Sequence, residues 1–400
     1  MNTPTKYLQQ RRILIGITGG IAAYKICELI RRLKEQGAEV KTILTAGGKE
    51  FITPLTIRAL SGETDVEDAM SHITLARWAE VLLVAPASAN FIAKFTHGLA
   101  DDLLTTTCLA TTAPILIAPA MNQQMWQNHA TQQNMALLKQ RAVTILGPNS
   151  GEQACGETGP GRMLEPHDLL QALDTHFAPR LLHNKHVLIT AGPTQEAIDP
   201  VRYLSNHSSG KMGYALASAA LKLGAKVTLI SGPTQLSLPA THNLEIVHVK
   251  NAAQMLNAVM QHIKAAQPKV DFFVGCAAVA DYTPAEARPQ KIKKNTATFT
   301  LELTRTADIL QAVAQLPASL RPFTIGFAAE TENLLQNAQQ KLHAKCLDMV
   351  IANAVDNGKV FGQEENQAWI IRKDLPPVEL PIMRKEVLAV RILEDLSCEL

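Results

Sequence analysis

Residues Arg12–Gly20 read RILIGITGG, and Ile21–Gln36 continue as IAAYKICELIRRLKEQ. An apolar, β-branched run ends in two glycines, and a helix-period pattern follows. That is strand, glycine turn, helix, the opening unit of a doubly wound α/β fold. The spacing is not GxGxxG, so the dinucleotide fingerprint is absent. The turn still lets a phosphate approach backbone N–H groups at a helix N-terminus. The same pattern recurs. Glu39–Thr45, Val81–Ala87, Pro114–Ala120 and Val143–Gly147 read as further strands. Continuously apolar strands alternating with helices imply a parallel sheet buried on both faces. Ligands in such sheets bind at the carboxyl ends of the strands. Here those ends carry Gly19-Gly20, Ser88-Ala89-Asn90 and Met121-Asn122.

The chain has 400 residues, which implies two domains. A hydrophobic content of 46% with 18% charged residues describes a soluble globular protein. The net charge of +2, without a basic stripe, argues against nucleic-acid binding. Apolar runs such as Val81–Ala87 are too short to span a bilayer, and the N-terminal MNTPTKYLQQRR lacks a signal-peptide core. Six scattered cysteines without a CxxC pair fit free thiols in a reducing cytoplasm. His183 and His186 have metal-like spacing but no acidic or cysteine companions nearby.

Ser150–Met163, SGEQACGETGPGRM, is expected to be a long loop, because glycine and proline disfavour regular structure. It would act as a flap carrying Cys155. Together with Ser71-His72-Ile73, Ala85–Asn90 and Pro119-Ala-Met-Asn-x-x-Met-Trp126, this segment resembles the homo-oligomeric flavin-containing cysteine decarboxylases over residues 10–178. The resemblance implies FMN, held by Gly19, Gly20, Ile21, Ala22, Thr45, Ser88, Asn90 and Met121. It assigns His72 to the oxidation step, Asn122 to the substrate carboxylate and Cys155 to final proton donation. It also implies trimeric decarboxylase units with the flavin site completed by a neighbouring subunit. The chemistry suits these residue types. An N-acylated cysteine cannot form a Schiff base, so a flavin must supply the electron sink. A thiol, with a reference pKa near 8.5, is a ready proton donor at neutral pH.

A second α/β pattern restarts after a linker placed at 179–186. Strands are expected at His186–Gly192, Lys226–Ser231, Phe272–Ala278, Phe323–Ala328 and Met349–Ala352, with a long loop over Gln195–Gly210. There is no GxxxxGK[ST] P-loop. Ala191-Gly-Pro-Thr194, Arg202–Gly213, Gly275–Tyr282, Lys291-Ile-Lys-Lys294 and Gly326–Thr331 resemble phosphopantothenate–cysteine ligase. The whole chain thus resembles the bacterial bifunctional coenzyme A biosynthesis family, with a decarboxylase domain at 1–178 and a ligase domain at 187–400. The resemblance implies CTP-dependent joining of cysteine to 4′-phosphopantothenate through an acyl-cytidylate, followed by decarboxylation to 4′-phosphopantetheine. By resemblance, Lys291 closes over the triphosphate, Asn206 stabilises the acyl-cytidylate and Arg202 aids the cysteine step. Gly275, Cys276, Ala277, Asp281, Asp308, Ile309, Phe327, Lys341 and Lys345 contact the nucleotide. Mg2+ is held largely by the CTP phosphates, with Asp281 as its candidate carboxylate. Arg305-Thr-Ala-Asp-Ile309 departs from the family's Asn-Pro-Asp-Ile but keeps Asp308. The implied assembly is a dodecamer with dimeric ligase domains, and no nucleic-acid or membrane partner. Three other readings compete. A dehydrogenase lacks its fingerprint. A catalytically lost regulatory flavoprotein would have shed His72 or Cys155. A decarboxylase with a degenerate second domain would have shed Asn206 and Lys291.

Overall fold

The computed structural model describes residues 7–62, 70–153, 156–238, 241–293, 300–330, 333–354 and 365–397. Two compact units divide the chain at Ala178 and Pro179. The first contains β1 (Arg12–Ile17), α1 (Tyr24–Glu35), β2 (Glu39–Leu44), α2 (Ala46–Lys49), α3 (Pro54–Ser61), α4 (Ser71–Trp78), β3 (Val81–Ala87) and α5 (Ala89–Thr96). It continues with α6 (Leu103–Ala110), β4 (Ile115–Pro119), α7 (Gln123–Gln127), α8 (His129–Gln140), β5 (Thr144–Ile145), β6 (Asn149–Glu152), β7 (Thr158–Arg162) and α9 (Pro166–Phe177).

The five-stranded sheet is parallel throughout, in the order β2-β1-β3-β4-β5. Every residue of β3 is buried, as a strand covered on both faces requires. On α1, Ile26, Leu29, Ile30 and Leu33 are buried at helical spacing and pack on Ile13, Ile15 and Ile17. On the opposite face, Leu14, Leu82 and Val84 meet Phe91, Leu104 and Leu138. Gly16 permits this approach, since a Cβ there would lie 2.4 Å from Leu104 Cδ1.

The cysteine segment differs from expectation. It is a two-stranded antiparallel ribbon, β6 against β7, not an unstructured loop. Two of its glycines serve tertiary contact. A Cβ on Gly159 would sit 2.0 Å from Gln123 Oε1, and one on Gly161 would sit 2.3 Å from the Met121 carbonyl oxygen. Cys155 lies outside the described residues.

The second unit contains β8 (His186–Ala191), β9 (Gln195–Ala197), β10 (Tyr203–Ser205), α10 (Lys211–Lys222), β11 (Lys226–Ser231), β12 (Leu244–His248), α11 (Ala252–Ala265), β13 (Phe272–Gly275) and β14 (Tyr282–Pro284). It ends with β15 (Leu303–Arg305), α12 (Ile309–Ala314), β16 (Phe323–Glu330), α13 (Leu334–Ala344), β17 (Met349–Ala354), β18 (Glu365–Arg372), β19 (Val378–Arg384) and α14 (Lys385–Leu396). Its sheet runs β12-β11-β8-β13-β16-β17-β18-β19. The first six strands are parallel, and β18 and β19 add an antiparallel edge that the sequence pattern did not announce. The 195–210 segment also departs from a plain loop, because β9 and β10 form a hairpin. His186 is structural. Its ring nitrogens pair with Thr228 Oγ1 at 2.9 Å and the Pro268 carbonyl at 3.2 Å, and burial lowers its pKa. Among the described residues, no helix is long and apolar enough to cross a membrane.

Candidate active sites

In the first unit, chain direction around the sheet reverses between β1 and β3. Thr18 pins that junction, its hydroxyl donating to the Pro86 carbonyl at 2.7 Å and accepting from Ser88 N at 3.0 Å. Beside it lies a cavity of about 550 Å³ bounded by Gly20, Ile21, Ala22, Met121, Asn122 and Arg162. A Cβ on Gly20 would meet nothing nearer than Pro86 Cγ at 4.0 Å, so this backbone is approachable. The ribbon is seated on the same wall, with Met121 N donating to the Gly161 carbonyl at 3.0 Å. Asn122 caps α7 by accepting from Gln124 N at 2.8 Å. Its Nδ2 donates to Glu157 Oε2 at 2.7 Å. Lys25, 7% exposed, reaches Glu165 Oε1 at 2.8 Å. That hydrogen bond, with Arg162 beside it, holds the Glu165 carboxyl below its ordinary range.

The other residues expected here lie off this cavity wall. Gly19 faces Gly47, where a Cβ would be 3.1 Å from the Gly47 carbonyl oxygen. Thr45 caps α2 by accepting from Gly48 N at 3.1 Å, and Ser88 caps α5 by accepting from Phe91 N at 3.3 Å. Asn90 is exposed on α5, and His72 is half-buried on α4.

In the second unit the parallel strands run in the spatial order third, second, first, fourth, fifth, sixth. The reversal falls between β8 and β13, and a cavity of about 600 Å³ opens there. Gly275, Ala277, Asp281, Asp308, Ile309 and Phe327 line it, as do Lys341 and Lys345. Lys341 Nζ donates to the Phe327 carbonyl at 2.6 Å. Lys345 Nζ lies 2.7 Å from Asp308 Oδ2. Desolvation would raise the Asp308 carboxyl, but the hydrogen bonds from Lys345 and Gln311 N and the charges of Lys345 and Lys341 together outweigh it and the pKa falls. Asp308 also caps α12 by accepting from Gln311 N at 3.1 Å. The departure from the family's Asn-Pro-Asp-Ile therefore leaves the cap and the cavity contact in place.

Asn206 stands off this wall, with Nδ2 donating to the carbonyls of Ala278 at 3.3 Å and Val279 at 3.2 Å. Lys291 is exposed and also off the wall, as is Cys276. Burial pushes the Cys276 thiol up to about 12 against the opposing Lys385 charge, and the Cys108 thiol likewise to about 12. Thiolates are the reactive form. At pH 8 Ellman's reagent should therefore label exposed Cys346 in the native protein while Cys108 and Cys276 resist. Prompt labelling of all three, mapped by peptide mass, would contradict this.

Sequence reading passed over Tyr282, Arg305 and Thr306, which also line the cavity. They come from the β14–β15 hairpin, whose three-residue strands carry no periodic signal. It also passed over Asp199, 3% exposed, whose carboxylate accepts from Arg202 Nε at 3.0 Å.

The chain matches two family models. Residues 1–178 match the flavoprotein family, and residues 182–398 match the DNA/pantothenate metabolism flavoprotein C-terminal domain. It is 49% identical over 401 residues to the coenzyme A biosynthesis bifunctional protein CoaBC of Vibrio vulnificus (strain CMCP6), covering 98% of each chain. The chain belongs to this bifunctional family. The Escherichia coli (strain K12) relative of the same name is 44% identical over 402 residues, covering 97% of each chain. Among solved structures, the C-terminal domain of a bifunctional family member aligns at 40% identity with a TM-score of 0.46, covering 55% of this chain and 97% of that one. This member is therefore a bifunctional enzyme of coenzyme A biosynthesis, combining a flavoprotein phosphopantothenoylcysteine decarboxylase with a phosphopantothenate–cysteine ligase.

Proposed function

We propose that residues 1–178 decarboxylate phosphopantothenoylcysteine with FMN, and that residues 187–400 make that substrate from 4′-phosphopantothenate, cysteine and CTP. The observation carrying this reading is the pair of dissimilar cavities at two sheet reversals. The 2-1-3-4-5 order of the first sheet is the flavodoxin-like one, which takes FMN at its β1/β3 junction. The 3-2-1-4-5-6 order of the second is the nucleotide-binding doubly wound one, with its crevice at the β8/β13 reversal, and two lysines line its cavity.

FMN fits the first unit. Gly20–Ala22 offer approachable backbone for its phosphate, Thr45 and Ser88 close the neighbouring strand ends, and exposed Ile21 and half-buried Met121 suit an apolar ring. Bound FMN supplies the two-electron sink for the thiol-bearing carbon and returns the electrons after carbon dioxide leaves. Asn122 binds the substrate carboxylate, which takes the amide donor now given to Glu157. His72 orients or deprotonates the thiol from a neighbouring copy, and Cys155 returns the last proton.

In the second unit, Lys341 and Lys345 neutralise the nucleotide phosphates, assisted by Mg2+ held mainly by those phosphates and by Asp281. Backbone at Gly275–Ala277 reads the base. Lys291 covers the activated carboxylate, Asn206 steadies the acyl-cytidylate and Arg202 aids attack by the cysteine amine. The enzyme is cytoplasmic and homo-oligomeric, with trimeric decarboxylase units, dimeric ligase units and a dodecamer overall.

The test is one assay series on purified protein. FMN should be released on denaturation. Pyrophosphate should appear with CTP and phosphopantothenate, and carbon dioxide only once cysteine is added. A colourless active protein, or equal turnover with every nucleoside triphosphate, would sink the FMN or the CTP assignment respectively.

A further inference from the structure

We propose that Asp199 is a positioning residue for the ligase, holding the Arg202 guanidinium and the Lys291 loop on one buried carboxylate. The proposal rests on the ligase roles given above to Arg202 and Lys291. Asp199 sits in the turn joining β9 to β10, and its side chain is wholly buried. Oδ1 accepts from the backbone N–H groups of Val201 and Arg202, each at 2.8 Å. Oδ2 accepts from Arg202 Nε at 3.0 Å and Nη2 at 2.7 Å, and from Ile292 N at 3.2 Å. Arg202 Nη2 closes the triangle by donating to the Ile292 carbonyl at 2.7 Å. Nearby, Arg288 N donates to the Ile198 carbonyl at 2.9 Å.

All five donors point at a carboxylate, and each oxygen has a separate duty. Oδ1 shapes the turn that carries Arg202. Oδ2 ties that arginine to the residue following Lys291. Desolvation would raise the Asp199 carboxyl, but these hydrogen bonds outweigh it and bring it down to about 2. It is ionised at every pH at which the enzyme works, so it is neither acid nor base. Its work is geometric. It couples the two groups assigned to successive steps, activation and amide formation, across 93 residues of chain.

Asparagine is the discriminating replacement. It keeps the shape but offers one acceptor and one donor. With its oxygen toward the turn, its NH2 faces Arg202 and Ile292, which are both donors. Flipped, it abandons the turn. Displacement by about 1 Å at a distance from the chemistry costs about 100-fold in rate. Asp199→Asn is therefore expected to lower kcat for CTP-dependent pyrophosphate release about 100-fold, with the KM for CTP kept within about threefold because Lys341 and Lys345 are untouched. Limited trypsin digestion should cleave after Lys291 about tenfold faster, since the anchored backbone is released.

An unchanged kcat, or an unchanged rate of cleavage after Lys291, overturns the proposal. If Asp199→Asn does not fold, Asp199→Ser keeps one acceptor for the turn and drops the Oδ2 contacts to Arg202 and Ile292, and the same two readouts apply. Wild-type protein without nucleotide-dependent pyrophosphate release would strike the ligase roles instead, and the cleavage comparison would still judge the anchor.

Discussion

Asn206→Asp is expected to let nucleotide consumption continue while amide formation falls about 100- to 1000-fold, the loss typical of removing one positioned donor. The amide of Asn206 donates to two carbonyl oxygens beyond the end of β13, those of Ala278 and Val279. That segment also borders the cavity at the β8/β13 reversal, since Ala277 and Val279 line it. An aspartate there cannot donate. Its charge would face the same carbonyl oxygens, so the side chain must turn away, and an extra anion would meet an acyl-phosphate. On the proposed reading, activation precedes this step and relies on the lysines. Pyrophosphate should therefore form with CTP and phosphopantothenate, followed by accumulation of the acyl-cytidylate, detectable by mass spectrometry. Ligation at the wild-type rate would remove Asn206 from the amide-forming step.

The second large effect separates the two activities. Gly161→Ala is expected to reduce carbon dioxide release about 100-fold and to leave pyrophosphate release within about twofold of wild type. Gly161 has φ of +125°, a conformation that side chains strain by about 1–3 kcal/mol. A new Cβ would lie 2.3 Å from the Met121 carbonyl oxygen, in the residue whose N–H the Gly161 carbonyl receives. The ribbon must then lift from the cavity wall that it shares with Met121 and Asn122. The ligase unit has its own sheet and core and is unaffected. Both products can be followed on one preparation. Undiminished carbon dioxide release would show that the seating of the ribbon is irrelevant to decarboxylation.

Much of the architecture was legible because it depends on near neighbours. RILIGI is buried as a central strand, and the glycines after it end it. The α1 pattern buries Ile26, Leu29, Ile30 and Leu33 on one face. Ser88 and Asn122 cap the helices that follow β3 and β4. Each outcome follows from the period of a segment or from a side chain reaching two or three residues along. The motifs Gly275–Tyr282 and Gly326–Thr331 stood out instead by resemblance to the ligase family, and Gly275, Ala277, Asp281 and Phe327 do meet at one cavity.

What escaped was set by distant partners. The glycines around Cys155 suggested a chain without regular structure, yet β6 and β7 pair. Gly159 leaves no room for a side chain against Gln123 of α7, and Gly161 none against the Met121 carbonyl oxygen. The β14–β15 hairpin closes between Tyr282 and Arg305 across strands too short to show alternation. Asp199 lies within Gln195–Gly210, whose composition suggests only a long loop.

The sequence by itself determined two α/β units, their parallel strands other than the edge strand β12, and the residue types available at each strand end. Apolar period and capping are local, so they survive in one dimension. Only the tertiary structure decided which strand ends face one another, that the cysteine segment is a ribbon, and that Asp199 joins Arg202 to Ile292. Those contacts form only once sheet pairing has closed long loops, and hydrogen-bond geometry selects among partners that no spacing rule connects.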